Sequence, residues 1–340
     1  MYRREFLKVL AAGMAAGWAF KCWPGAFSNS AAAAGTPNLI IACLADPHLR
    51  DGDAKRPEAL SLARAAAEIR ALDPAPDLVF FAGDLAHDGN PGALALGQEI
   101  LSDLSMPVLA VRGEGDGRPE KCKTGCKLFN NGRFFCTLEG VNLLGLDTVW
   151  QDKPYGGGFS LGEAQHRWVA GVLSRLEPAT PLLVLSHAPL TPIYRPWGQW
   201  ILDSGPLLDR LSRFENVLFL HGHVHQSGGV FSHGQAAPGK APPPLAGRGW
   251  GEGKIFRWLE SSLVLYTTSP TLPHQGGGRA DSAWWGLQQI SLPATSWPLP
   301  SPFEGTPRKL RPGMGPRGCG WALLHQEGQQ GHFRQMLWQA

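Results

Sequence analysis

Histidine and carboxylate side chains recur in five short clusters, and each cluster follows a run of apolar residues. The clusters are Asp46-Pro47-His48, Gly83-Asp84, Gly113-Glu114-Gly115-Asp116, Ser186-His187 and His221-Gly222-His223-Val224-His225. Imidazole nitrogen and carboxylate oxygen are the ligand types of divalent transition metals such as zinc, iron and manganese. A single carboxylate can bridge two such ions about 3.5–4 Å apart. The clusters therefore predict a metal site, with room for two ions if they come together.

The apolar runs before these clusters predict the elements that bring them together. Buried strands are expected at 39–45, 77–82, 107–112, 133–138, 141–146, 181–185 and 217–220, with helices at 57–71, 93–104, 161–176 and 207–214. Strands that alternate with helices indicate a layered α/β fold. Open α/β sheets bind ligands beyond the carboxyl ends of their strands, where all five clusters fall. After residue 220 the pattern weakens, with strands expected at 255–259 and 263–268 and a proline-rich, aperiodic stretch at 291–320.

The first 34 residues have the organisation of a secretory signal peptide. A basic start is followed by an apolar stretch over 9–20 and by alanines at 31–34. The pair Arg3-Arg4 before Glu5-Phe6-Leu7-Lys8 resembles the twin-arginine export signal; the alternative is an ordinary basic N-terminus. We therefore expect the twin-arginine export machinery as a partner, a periplasmic or otherwise extracytoplasmic location, and no stable membrane span after cleavage.

The charge of the chain is concentrated in that segment. The 340 residues include 31 Lys+Arg and 28 Asp+Glu, for a formal net charge of +3. The segment holds four of the basic residues and one of the acidic ones, which leaves 27 of each sign in the remainder. A nucleic-acid-binding surface needs clustered excess Lys and Arg. The neutral remainder argues against a nucleic-acid partner.

Five cysteines follow the segment. Cys43 lies in an apolar run and is expected to be a buried thiol. For an exported protein, a disulfide among Cys122, Cys126, Cys136 and Cys319 is expected. The alternative is that Cys122-x-x-x-Cys126 forms half of a zinc site, although no second pair follows at suitable spacing.

The five clusters resemble, in order, the motifs of the calcineurin-like metallophosphoesterases: D-x-H, G-D-x-x, G-N-H-D/E, a lone H and G-H-x-H. Four of the five match, over residues 46–225. The resemblance implies an α/β fold of the four-layer α/β/β/α sandwich type. Residues 35–275 would form the metallophosphoesterase domain, and residues 276–340 a C-terminal extension packing on the same domain.

The resemblance also implies roles for the matched residues. One ion would be held by Asp46, His48, Asp84 and His225, and the second by His187 and His223, with Asp84 bridging. The cofactors would be two divalent or mixed-valence ions of iron, manganese or zinc. A hydroxide between them would attack a small phosphomonoester or phosphodiester in line. The D-x-H opening and the compact spacing favour the branch of the family that resembles cyclic-nucleotide phosphodiesterases.

Each residue taken alone has a simpler interpretation. A lone histidine after a strand, such as His187, is more often a satisfied polar residue than a ligand. Asp46 and Asp84 have side chains suited to capping a helix. His221 is expected to be hydrogen-bonded behind the ligands. Only the joint pattern favours metal binding.

The third cluster departs from the family pattern at two positions. Glu114 replaces a neutral asparagine and remains a candidate ligand, which would make the charge of a centre with two divalent ions and a hydroxide zero. Gly115 replaces the histidine credited with protonating the leaving group, a function that typically contributes about 10²–10⁴-fold in rate. His87, three residues after Asp84, is the candidate replacement, and an exposed loop histidine is its alternative. The second hypothesis for the whole protein is a metal-loaded but catalytically weak binding protein.

Overall fold

The computed structural model describes residues 38–117, 128–129, 132–151, 158–192, 200–225, 230–233, 262–265, 286–296, 318–328 and 330–339. The signal segment, Cys122, Cys126 and the strand expected at 255–259 lie outside these ranges. No helix in the described ranges is both long and apolar enough to cross a membrane.

The described residues form fourteen strands and four α-helices. The strands are β1 (Asn38–Leu44), β2 (Leu78–Phe81), β3 (Val108–Ala110), β4 (Phe134–Leu138), β5 (Val141–Leu146), β6 (Val149–Gln151), β7 (Gly158–Ser160), β8 (Leu182–Ser186), β9 (Asn216–His221), β10 (Val230–His233), β11 (Ser262–Leu265), β12 (Gly286–Ser291), β13 (Gly318–Glu327) and β14 (Gln330–Gln339). The helices are α1 (Pro57–Arg70), α2 (Pro91–Ser102), α3 (Gly162–Leu173) and α4 (Gly205–Leu211).

Two mixed six-stranded sheets form the body of the protein. The first has the order β11-β14-β13-β1-β2-β3, and the second has the order β10-β12-β9-β8-β5-β4. Within them β1, β2 and β3 run parallel to one another, as do β5, β8, β9 and β12. Strands β6 and β7 form a separate two-stranded ribbon.

Three apolar clusters define the layers. One lies between the sheets and includes Ile41 and Phe80 from the first sheet and Leu183 from the second. Another packs α1 and α2 on the outer face of the first sheet, and a third packs α3 and α4 on the outer face of the second. The predicted α/β class with two layers of sheet between two layers of helix is confirmed.

The C-terminal stretch supplies strands to both sheets. Strand β12 pairs in parallel with β9, and β13 pairs antiparallel with β1. The sequence pattern predicts neither β12 nor β13. The β12 sequence carries Gln288 and Gln289 in its centre, so it lacks the continuous apolar run of a buried strand.

The two described cysteines of the expected disulfide do not take part in one, and the other two, Cys122 and Cys126, lie outside the described ranges. Cys136 and Cys319 are free thiols. Cys136 packs against the cluster between the sheets, whereas Cys319 belongs to the cluster beneath α1 and α2. The expectation for Cys43 holds, because its side chain is fully buried and burial strongly raises its pKa.

Candidate metal centre

The candidate ligands lie on the loops that leave the carboxyl ends of β1, β2, β3, β8 and β9. The first two loops are joined by backbone hydrogen bonds, in which Asp46 N donates to Gly83 O at 3.0 Å and His48 N donates to Asp84 O at 2.9 Å. The parallel strands deliver the loops to one edge of both sheets. Residues 177 positions apart, such as His48 and His225, are therefore in contact.

The first group of ligand atoms, here called subsite 1, consists of Asp46, His48 and His225. The Nε2 atoms of His48 and His225 lie 3.1 Å apart, and His225 Nε2 lies 3.4 Å from Asp46 Oδ1. Asp46 is fully buried and also accepts hydrogen bonds from the backbone N–H of His223. Although burial opposes it, the nearby histidines, led by His225, lower the pKa of Asp46 to about 2.

The second group, here called subsite 2, consists of Glu114, His187 and His223. Glu114 Oε2 lies 2.7 Å from His187 Nε2, and its Oε1 lies 2.9 Å from His223 Nδ1. His187 is fully buried, and its Nδ1 makes a 2.7 Å hydrogen bond with the carbonyl oxygen of Ala82. A histidine whose other ring nitrogen is held by a backbone carbonyl is typical of metal ligands.

Asp84 lies between the two subsites. Its Oδ2 is 3.4 Å from His48 Nε2 and 3.6 Å from His187 Nε2, so one oxygen faces a histidine of each subsite. Its Oδ1 accepts a 2.7 Å hydrogen bond from the backbone N–H of Gly115, so Oδ2 is the oxygen that faces the two histidines. Burial, reinforced by the charge of Glu114, raises the pKa of Asp84 to about 7. This is the placement required of a bridging carboxylate.

The donor set fits a pair of transition-metal ions. The buried His187 Nε2 has no hydrogen bond of acceptable geometry, although two carboxylates are near it, Glu114 at 2.7 Å and Asp84 at 3.6 Å. Despite the opposing effect of burial, Asp84 and Glu114 raise the pKa of His187 well above its usual range. The carboxylates thus favour a positive charge at His187, and a metal cation bound beside its Nε2 would provide that charge. We infer that Asp46, His48, His225, Glu114, His187 and His223 would hold the ions, with Asp84 shared.

The backbone at these ligands is strained. Six non-glycine residues in the described ranges have positive φ, and five of them are candidate ligands: Asp46 (54°), His48 (49°), Asp84 (53°), His223 (66°) and His225 (53°). The left-handed conformation costs an L-residue roughly 1–2 kcal/mol. Such strain concentrates at functional sites, where it aims side chains that regular strands would direct elsewhere.

Asp116 holds the loops of subsite 2 together, a role that the sequence analysis did not assign. Its Oδ2 accepts hydrogen bonds from the backbone N–H groups of Asp84 and Gly113, both at 2.9 Å, and its Oδ1 accepts one from Ala86 at 3.0 Å. The carboxylate therefore fixes the loop after β2 against the loop after β3. Its position in the third cluster was the only available signal.

Gly115 is enclosed by the loop after β2. A Cβ atom at this position would lie 2.3 Å from the carbonyl oxygen of Ala86 and 3.1 Å from that of His87. The backbone N–H of Gly89 also donates to Gly115 O at 2.6 Å. The close backbone approach explains why residue 115 is a glycine and leaves no space there for an imidazole.

His87 and His221 occupy opposite environments. His87 is exposed, and its ring centroid lies 5.6 Å from that of His48, so it borders subsite 1 without belonging to it. His221 is fully buried, and burial lowers its pKa to about 4. The expected role of His221 behind the ligands has partial support, because its Nδ1 contacts the Gly222 carbonyl whereas its Nε2 has no hydrogen-bond partner.

The fold is an α/β sandwich, in which two mixed sheets lie between helices. At the carboxyl edge of the strands, two groups of candidate ligands share an aspartate and form a candidate dinuclear metal centre. The chain belongs to the calcineurin-like phosphoesterase family, whose sequence model matches residues 39–227. That range contains all seven candidate ligands.

Two curated proteins illustrate this relationship. A probable glycerophosphodiester phosphodiesterase of Arcobacter nitrofigilis is 29% identical over 167 residues, covering 46% of this chain and 60% of the relative. A probable cyclic nucleotide phosphodiesterase of Synechococcus sp. is 29% identical over 195 residues, covering 56% of this chain and 74% of the relative. The first alignment thus spans less than two thirds of the relative.

A solved structure shares the fold. The dimetal phosphatase from Danio rerio aligns with a TM-score of 0.53 at 16% identity, covering 88% of this chain and 96% of that protein. At this level of identity the similarity concerns the fold alone.

Proposed function

We propose that the protein is a metal-dependent phosphoester hydrolase that acts on small phosphodiesters. The observation that carries the proposal is the position of Asp84 Oδ2, within 3.6 Å of one histidine from each subsite. Two bound transition-metal ions would supply Lewis-acid activation of water and of the phosphoester. The chain itself would supply seven ligand residues with nitrogen or oxygen donor atoms, one of them the shared carboxylate of Asp84, in a partly buried site.

The preference for diesters follows from charge. Asp46, Asp84 and Glu114 bring three carboxylates to the centre, and Glu114 stands where the family pattern has a neutral asparagine. Although burial opposes it, His223 and His187 keep the pKa of Glu114 well below its usual value, so the side chain is ionised. A less positive centre attracts a dianionic monoester less than it attracts a monoanionic diester. The two relatives, both named as probable phosphodiesterases, support this direction.

The test compares the hydrolysis of bis-aryl and mono-aryl phosphates by the metal-loaded protein and by Glu114→Gln, which keeps an oxygen ligand and removes the charge. Manganese, iron and zinc are tried in turn. We expect the wild type to have a higher kcat/KM for the diester than for the monoester. In the variant the ratio of these two kcat/KM values should be about 10-fold lower, which corresponds to about 1.4 kcal/mol. An unchanged ratio would contradict the charge argument, and a protein that binds two ions without turnover would favour the metal-loaded binding protein.

His87 is our candidate for the proton donor to the leaving group. It is exposed beside His48, and the position that carries the family's histidine is the enclosed Gly115. A general acid matters most for a poor leaving group. We expect His87→Gln to reduce hydrolysis of an alkyl phosphodiester by about 10²-fold and that of an aryl diester by much less. Equal losses on both substrates would remove His87 from this role.

Export is a separate proposal that rests on the N-terminal sequence. Arg3-Arg4 precedes an apolar stretch, and the excess positive charge lies in the same 34 residues. We propose delivery by the twin-arginine machinery to an extracytoplasmic location. Replacement of both arginines by lysine should leave the full-length precursor in the cytoplasmic fraction, as checked by fractionation and intact mass. Export of that variant at the wild-type level would count against the proposal.

A further inference from the structure

An aromatic ring from outside both sheets packs against the histidines of subsite 2. Phe159 belongs to β7 of the two-stranded ribbon and is fully buried. Its ring centroid lies 4.8 Å from that of His223, with 76° between the ring planes, and 5.9 Å from that of His187, with 64° between the planes. The rings of His187 and His223 lie 5.2 Å apart at 68°. The three rings therefore form a cluster of edge-to-face contacts.

The ring contacts of subsite 1 are different. In the described part of the chain, the ring of His48 contacts those of His225 and His87, both of which are polar. Phe159 thus gives an apolar wall to one subsite, whereas the rings grouped around the other are imidazoles. The two subsites differ in their surroundings as well as in their ligands.

The position of Phe159 is fixed by contacts with residues 201–203. The carbonyl oxygen of Phe159 accepts a 2.9 Å hydrogen bond from Leu202 N, and Phe159 also forms a parallel bridge with Ile201. Asp203 accepts 2.9 Å hydrogen bonds from the N–H groups of Leu161 and Gly162, just after the ribbon. Ile201 N in turn donates a 2.9 Å hydrogen bond to the carbonyl oxygen of Pro189, two residues after His187, so the phenyl ring and the histidine are held in one framework.

We propose that Phe159 is a positioning residue for the second metal ion. It fixes the ring orientations of His187 and His223 and excludes water from the parts of these rings that it covers. Residues that orient a metal-ligating histidine typically contribute 10–100-fold to metal affinity. The inference rests on the proposed two-metal function and adds that occupancy of subsite 2, unlike that of subsite 1, depends on the ribbon.

The experiment measures stepwise metal binding by the full chain with Phe159→Leu. Phe219→Leu is the matched control, because Phe219 is also fully buried and belongs to the same apolar cluster on the outer face of the second sheet. Co²⁺ or Mn²⁺ titrations followed by absorption or electron paramagnetic resonance give both dissociation constants, and thermal unfolding of each protein shows whether it is folded. Repeating Phe159→Leu in a His48→Ala background isolates subsite 2. If Phe159→Leu does not fold, Phe159→Met replaces it.

We expect Phe159→Leu to weaken one binding step by about 10–100-fold and the other by less than about 2-fold. The weakened step should be the one that remains in the His48→Ala background, and Phe219→Leu should leave both steps unchanged. If the wild type binds two ions and Phe159→Leu weakens both steps equally or neither, the positioning role is overturned and the proposed function stands. A wild type that binds fewer than two ions overturns the two-metal proposal and this inference with it.

Discussion

The two subsites are built by different means. All three residues of subsite 1 have positive φ, so its geometry depends on a strained backbone in two loops. In subsite 2 only His223 has a positive φ. His187 is instead held by a carbonyl oxygen, by Glu114 and by the ring of Phe159. Subsite 1 is therefore sensitive to changes that relax its loops, and subsite 2 to changes that alter side-chain packing.

Asp84→Asn gives the largest expected effect, because Asp84 is the element common to both subsites. The amide would keep the shape but remove the charge that faces His48 and His187. We expect both ions to bind more weakly and kcat/KM to fall by about 10²–10³-fold, the range seen when one strong electrostatic contact is removed. Metal analysis after dialysis and kinetics with a bis-aryl phosphate measure the two effects. Loss of one ion alone would show that Asp84 belongs to a single subsite.

The histidines of the two subsites should contribute differently to the free energy of unfolding. His187 has a fully buried side chain among Asp46, Asp84 and Glu114, whereas the His48 side chain is 14% exposed. Removal of one partner from a buried charged group costs about 3–5 kcal/mol. Without metal, His187→Ala should lose about this much free energy of unfolding, and His48→Ala clearly less, as measured by urea denaturation. Equal losses of free energy of unfolding would mean that subsite 2 does not depend more strongly on buried side-chain contacts than subsite 1 does.

The candidate ligands can be selected from the sequence because each one follows an apolar strand, and these strands run parallel to one another within their sheets. The alternation of 39–45, 77–82 and 107–112 with helices was sufficient to place Asp46, Asp84 and Glu114 at one edge. It was not sufficient for Phe159 or β12. Phe159 is an apolar residue in a short ribbon, and such a residue does not indicate a functional site by its type. Gln288 and Gln289 interrupt the apolar run that would identify β12 as a buried strand. The contacts of Phe159 depend on long-range packing that local patterns do not encode.

Gly115→Ala tests the backbone packing beside subsite 2. The added Cβ would lie 2.3 Å from the Ala86 carbonyl oxygen and 3.0 Å from Asp84 Oδ1, so the loops must separate. Overpacking of this kind costs typically 1–3 kcal/mol, and the hydrogen bond from Gly115 N to Asp84 would weaken. We expect a lower melting temperature and weaker metal binding. Gly115→His should behave in the same way and gain no activity; a gain in turnover would show that the loop can move aside.

Glu68 lies outside both ligand groups, provides a contrast to them and gives the smallest effect. Its carboxylate on α1 accepts hydrogen bonds from Trp321 Nε1 at 2.8 Å and from Trp338 Nε1 at 3.0 Å, which join the helix to β13 and β14. Although partial burial opposes it, these hydrogen bonds and the one from Arg64 lower the pKa of Glu68. A carboxylate whose pKa is lower in the folded state adds stability above its unfolded pKa, and this contribution is lost as the pH falls through the folded value.

Glu68→Gln should therefore reduce the free energy of unfolding by about 1 kcal/mol at neutral pH, the net worth of a typical hydrogen bond. The difference from the wild type should shrink as the pH falls below about 4.5, the ordinary pKa of the group. Metal stoichiometry should stay unchanged, because the hydrogen-bond partners of Glu68 are Trp321, Trp338 and Arg64, none of which is a candidate ligand. Urea denaturation at neutral and acidic pH checks the stability difference. A change in metal content would show that packing of α1 on the first sheet is coupled to the ligand loops, and the contrast between subsites would then extend beyond their immediate contacts.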